Sequence, residues 1–177
     1  MAQQPKKNDV LRYQFKKKRI FLITRKMTIP NGMKIEKDII LHPGAALIVP
    51  FLSPDKVVIL RQYRSTINKY LYEFPAGTLE PGEQPAACAR REIMEEAGYR
   101  AGKLKKVGMI YPVPGYSDEI IYIYKAEKLS VQKETGDADE VLEPVVMTRA
   151  QINKIFKAGK IVDGKTIAGL AFCGLIE

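Results

Sequence analysis

Two hydrophobic rhythms divide the chain. After a polar lead, "RIFLITRKMTI" (19–29) and "NGMKIEKDIILH" (31–42) mix apolar and polar positions as strands do, and Pro30-Asn31-Gly32 between them is a strong hairpin signal. "AALIVPFL" (45–52) and "KVVILRQY" (56–63) are nearly continuous apolar runs separated by Ser53-Pro54-Asp55, which predicts two strands buried on both faces. Ile120 to Tyr124 reads as another strand. Helical spacing appears in three places. Pro85 suits a first helical turn and Gly98 an exit, giving a helix over 85–97. Thr148 can cap "RAQINKIFKAG" (149–159), with Gln151 as its capping-box partner and Gly159 at the exit, and a last amphipathic helix is expected from about Lys165 to Leu175. Strands dominate the first half and helices follow in the middle and at the end. That order predicts an α/β (α+β) sandwich with a mixed sheet. The first ten or so residues are polar and expected to fray.

Composition narrows the picture. A chain of 177 residues with 46% hydrophobic content can bury the core of one main domain. The two cysteines, Cys88 and Cys173, show neither a disulfide framework nor metal-ligand spacing, and suit a reducing compartment. The N-terminus lacks an apolar run behind its charges, and the most apolar stretch is interrupted by His42, Pro43 and Gly44. Hence neither a signal peptide nor a membrane span is expected, and the setting is read as cytoplasmic. The net charge of +9 gathers in "FKKKR" (15–19) and "KLKK" (103–106). Without a nucleic-acid motif, such charge reads first as solvated strand edges, so a nucleic-acid partner is not expected; attraction for phosphate-bearing substrates is.

The candidate chemistry sits in "GTLEPGEQPAACARREIMEEAGY" (77–99). On a helix, Glu92, Glu95 and Glu96 stand at i, i+3 and i+4, so their carboxylates share one side and repel unless neutralised. Arg90 and Arg91 can supply part of the charge, and hard divalent cations with oxygen ligands supply it more fully. Gly77 and Gly82, around Pro81, predict a tight turn that brings backbone carbonyls near such cations, while Glu83 can reach back to Arg91. An acidic helix alone is ordinary surface. The spacing of Gly77, Glu83, Arg91, Glu92, Ile93, Glu95, Glu96, Gly98 and Tyr99 is not, and arises by chance in a chain this long less than about once in a million. It resembles the signature box of the Nudix hydrolases, departing only at Tyr99, where an aliphatic residue is usual. "RQYR" (61–64), "EFPAGTLEPGE" (73–83) and "YPVPGYSDE" (111–119), with Pro114 sixteen residues beyond Gly98, are similar to the ADP-ribose pyrophosphatase and nucleoside-diphosphate-sugar hydrolase branch. Tyr116 lies near where diadenosine-polyphosphate hydrolases keep a tyrosine.

The resemblance implies a Nudix-type α/β/α sandwich that cleaves a diphosphate by water with Mg²⁺, which Mn²⁺ can replace. It implies metal ligation by Glu92, Glu96 and the carbonyl of Ala76, with Glu95 ligating or supporting, and a place for Arg91 in the catalytic group. The base is expected in the late acidic loop at Glu140, with Glu134, Asp137, Asp139 and Glu143 as rivals. Substrate binding is expected at Arg64, Glu73, Gly77, Pro114, Tyr116 and Glu119, the last holding sugar hydroxyls; His42 is assigned to turn structure. By the same resemblance, residues 1–43 form a β extension that makes a homodimer and 44–177 the hydrolase domain, an isolated hairpin being marginal without a partner surface. The expected substrate is ADP-ribose or another nucleoside-diphosphate sugar. The alternatives are a dinucleoside-polyphosphate or RNA-cap hydrolase, or a nucleotide-sugar sensor without turnover.

Overall fold

The structure, a computed structural model, describes residues 4–15, 19–132 and 141–176. Three antiparallel strands open the chain: β1 (Val10–Phe15), β2 (Ile20–Thr28) and β3 (Lys34–Leu41), in the order β1-β2-β3. The β2–β3 turn falls at the Asn-Gly step, where Gly32 takes φ 83° and Gly32 N–H donates to the Ile29 carbonyl at 2.9 Å. β1 adds to the sequence reading, which expected the first ten or so residues to fray and placed its first strand at 19–29. Its apolar residues Val10, Leu11, Tyr13 and Phe15 are about half exposed, so no buried face announces the strand. Polar contacts hold it instead. Asp9 takes both Nε and Nη2 of Arg25 at 2.8 and 2.7 Å, and Arg12 donates to Thr24 Oγ1, which donates on to Asp38.

The second sheet has seven strands: β4 (Ala45–Ser53), β5 (Lys56–Arg64), β6 (Lys69–Glu73), β7 (Ala76–Thr78), β8 (Tyr99–Ile110), β9 (Ile121–Val131) and β10 (Leu142–Thr148). Its main path runs β10-β5-β4-β9-β8, with β6 on β5 and β7 on β4. The β4–β9 pair is parallel and the remaining pairs antiparallel, so the sheet is mixed as expected. The helices are α1 (Pro85–Ala97), α2 (Arg149–Lys157) and α3 (Gly164–Phe172).

Period-two alternation explains the continuous apolar runs. On β4 and β5, Leu47, Val49, Val57 and Ile59 face one layer with Ile152 of α2 and Leu170 of α3. Ala46, Ile48, Val58 and Leu60 face the other, packing against Cys88, Ala89 and Ile93 of α1. Each fully buried aliphatic side chain contributes about 1.5–3 kcal/mol. The result is the α/β/α sandwich the resemblance implies. Thr148 caps α2 with the reciprocal Thr148–Gln151 bonds of a capping box, while α3 begins one residue before the expected start, at an Asp163 cap that accepts the Thr166 N–H.

The basic run "KLKK" falls on β8, the edge of the large sheet, where Lys103, Lys105 and Lys106 are exposed. This is the solvated-edge arrangement, in which lysines oppose pairing with another chain. Among the described residues, no helix is long and apolar enough to cross a membrane.

Candidate active site

The apolar stripe of α1 is spent on the sheet, and this orients its acidic side. With Cys88, Ala89, Ile93 and Ala97 buried, Glu92 and Glu96 come to lie at the layer boundary beside β7, each 8% exposed. Gly98 ends the helix in the left-handed conformation (φ 73°), its N–H bonding Met94 O.

Ala76 and Gly77 receive these two carboxylates in different ways. Ala76 N–H donates to Glu96 Oε2 at 2.9 Å. At Gly77 a Cβ would stand 1.6 Å from Glu92 Oε1, so the Glu92 carboxylate lies directly against the glycine backbone. Sequence reasoning assigned Gly77 to a tight turn. The turn residue is Gly82 at φ 78°, whereas Gly77 serves close approach.

Arg91 links the carboxylates. Its Nε and Nη2 meet the two oxygens of Glu83, both at 3.1 Å, while Nη1 reaches Glu92 Oε1 at 2.6 Å and Glu95 Oε2 at 3.0 Å. Burial would lower the Arg91 pKa, but the Glu83 and Glu92 carboxylates outweigh it and hold the group firmly protonated. Burial likewise pushes Glu83 up, and the Arg91 guanidinium brings it below its ordinary value. The expected bond from Glu83 to Arg91 is therefore present. Arg90 does not share the neutralising task, because its Nη1 donates to the Ala101 carbonyl at 2.7 Å and ties α1 to β8. Cys88 is inert by environment: burial first, then Glu92 and Glu83, push its thiol up to about 12.

The donors gathered here are oxygen-only, as a hard divalent cation requires. Glu96 takes the Ala76 N–H, Glu92 lies against Gly77, and Glu95 shares Arg91 with Glu92. Among the described residues, no three of His, Cys, Asp or Glu converge into a ready-made cage. Arg91 instead holds Glu92 and Glu95, and Ala76 N–H holds Glu96. Glu134, Asp137, Asp139 and Glu140 lie outside the described residues. Their rival Glu143 is on β10, with Arg61 3.9 Å away.

A second ionic cluster borders the first. Glu73 is 1% exposed and accepts Arg64 Nε at 2.8 Å and Nη2 at 2.6 Å, so the Nη1 edge of that guanidinium faces away from it. Lys165 Nζ also donates to Glu73 Oε2 and pairs with Asp163 at 2.9 Å. Sequence reasoning missed Lys165 and Asp163, whose place in α3 concealed them; "DGKT" directly before an apolar run is the one local cue. Burial raises the Glu73 pKa, yet Arg64 and Lys165 together depress it below the ordinary carboxylate value. A depressed folded value contributes stability that is complete above the unfolded pKa of about 4.3 and is lost as pH falls through the folded one. The stability gap between the wild type and Glu73→Gln, measured by urea unfolding across pH, is therefore expected to be widest near neutrality and to close in acid.

The loop carrying Pro114, Tyr116 and Glu119 is tied to the small sheet. Ile40 N–H donates to the Tyr116 carbonyl at 2.8 Å, Asp118 N–H to the Ile40 carbonyl at 3.2 Å, and His42 N–H to Asp118 Oδ1 at 2.8 Å. Pro114 and Tyr116 are exposed, and Glu119 lies 3.7 Å from His42 Nδ1. His42 Nδ1 also accepts the Gly44 N–H at 3.1 Å, in keeping with a turn role.

Known proteins resemble this chain in sequence and in fold. The family model described as NUDIX domain matches residues 41–168. The chain is 35% identical over 165 residues to an ADP-ribose pyrophosphatase of Bacillus subtilis, covering 92% of this chain and 89% of that protein. It is 34% identical over 151 residues to a methanol dehydrogenase activator of Bacillus methanolicus (84% and 82% covered). With a GDP-mannose pyrophosphatase of Yersinia pestis it shares 35% identity over 138 residues (73% and 69%). Among solved structures, one titled ADP compounds hydrolase superposes with a TM-score of 0.76 at 20% identity, covering 96% of this chain and 94% of the other. By its sequence, this chain belongs to the Nudix family and is a pyrophosphohydrolase.

Proposed function

We propose that the protein hydrolyses the diphosphate bond of ADP-ribose or a related nucleoside-diphosphate sugar, with Mg²⁺ or in its place Mn²⁺, releasing a nucleoside monophosphate and a sugar phosphate. The observation that carries this reading is the juxtaposition of Glu92, held by Arg91, with the Gly77 backbone and of Glu96 with the Ala76 N–H. A divalent cation held by Glu92, Glu96 and the Ala76 carbonyl, with Glu95 beside them, would draw charge from the two phosphates and lower the pKa of a bound water. Arg91, fixed by Glu83, holds the carboxylates at their places between turnovers. Arg64, locked by Glu73, offers its outer edge to a phosphate oxygen. Glu119 is the proposed acceptor for sugar hydroxyls and Tyr116 a stacking surface. The proposed base is Glu140.

The half-exposed apolar strip of β1, on residues 1–43, is the surface by which we propose that two copies form a homodimer, with residues 44–177 as the hydrolase domain. A cytoplasmic location accords with the two free cysteines.

The full set of acidic groups favours turnover over sensing alone, because a binder of nucleotide sugars needs no such cluster. Incubation of ADP-ribose, GDP-mannose, UDP-glucose, diadenosine polyphosphates and capped RNA with Mg²⁺, resolved by ion exchange, tests the reading. AMP and ribose 5-phosphate from ADP-ribose are the expected products. Preferential cleavage of the polyphosphates or caps contradicts the sugar reading, and no cleavage of any substrate contradicts the enzyme.

A further inference from the structure

We infer that Lys165 is a positioning residue for substrate binding: by sharing the buried Glu73 carboxylate with Arg64, it fixes the guanidinium that meets the diphosphate. The ligand in this inference rests on the hydrolase reading above; the geometry does not.

A carboxylate that is 1% exposed needs all of its charge answered nearby, since an unpaired buried charge is strongly destabilising. Arg64 answers both Glu73 oxygens along one edge, and Lys165 adds a third donor on Oε2. The three side chains differ in access. Glu73 is closed to solvent, Lys165 is 18% exposed and Arg64 is 37% exposed, so the cluster opens outward through the arginine. Lys165 therefore acts from the inner side, and what it controls is how firmly the guanidinium is seated.

Lys165 is itself held by the start of α3. Asp163 takes its ammonium at 2.9 Å through Oδ1, while Oδ2 caps the helix on Thr166 N–H. The next residue, Thr166, is fully buried and accepts Phe74 N–H at 2.9 Å. One helical turn thus grips Glu73 and Phe74 together, at the head of the segment that leads to Ala76 and Gly77. A flexible lysine stem makes a poor anchor on an open surface, where such pairs contribute little. Here burial of the acceptor and the Asp163 bond remove that freedom.

The test is a double-mutant cycle on Arg64→Ala and Lys165→Met in the full-length protein, reading ADP-ribose affinity in EDTA by calorimetry and KM and kcat with Mg²⁺. Losing one charge-assisted bond on the seat of Arg64 is expected to weaken affinity and raise KM about tenfold, with kcat little changed. Lys165→Arg is expected to restore most of the loss. In the Arg64→Ala background, Lys165→Met is expected to add nothing further. Multiplying effects, failure of the arginine to rescue, or a fall in melting temperature with affinity unchanged each overturn the inference. If Lys165→Met does not fold, Lys165→Gln takes its place in the cycle. Absence of turnover in the wild type counts against the hydrolase reading alone, because the affinity cycle needs none.

Discussion

Glu96→Gln is expected to fold normally and to lose about 10²–10³-fold in kcat, the range found when a charge partner of the transition state is removed. The substitution keeps an amide oxygen where Glu96 Oε2 now accepts the Ala76 N–H, so β7 and α1 retain their contact. What disappears is the negative charge, and with it, on the proposed reading, the ability to hold a divalent cation against the diphosphate. Melting temperature and circular dichroism close to wild type, with turnover reduced to that extent, is the predicted pair of results. Near-normal turnover removes Glu96 from the catalytic group.

Gly77→Ala probes the same site through space. The added methyl claims the volume of Glu92 Oε1, which stands 1.6 Å from the Cβ position. The obstructing atom is the far end of a flexible side chain, so the carboxylate can swing aside at small cost to folding. It cannot do so and remain where it is. Displacement of a reacting group by about 1 Å can cost 10²-fold in rate, and a loss of that order with little change in melting temperature is expected. A large drop in stability without loss of turnover would show that Gly77 serves only the fold.

These two variants also separate what was legible in the sequence from what was not. The spacing of Glu92, Glu95 and Glu96 placed three carboxylates on one helical side, and the nearly continuous apolar runs of β4 and β5 announced strands buried on both faces. Those features are local and periodic. The strand β1 was illegible because its apolar residues are exposed and backbone pairing with an adjacent strand carries it. β6 and β7 were missed because five and three residues are too few for a period to declare itself. Gly77 was assigned a turn because close approach to Glu92 is a relation across space. The same holds for Lys165, which lies 92 positions from Glu73 and meets it only because α3 packs over the end of β6. Arg90 and Arg91 are adjacent and chemically identical, and only the packing of α1 on β8 sends one to the Ala101 carbonyl and the other to the carboxylates.

The central claim is that the acidic side of α1 binds divalent metal at the place where a diphosphate is cut. Crystals grown with Mn²⁺ and a nonhydrolysable nucleoside-diphosphate-sugar analogue, with anomalous differences collected at the manganese edge, test it most directly. The account predicts a peak within bonding distance of Glu92, Glu96 and the Ala76 carbonyl, touching the bridging phosphates. A well-ordered analogue in the cleft with no anomalous peak beside those carboxylates would contradict it.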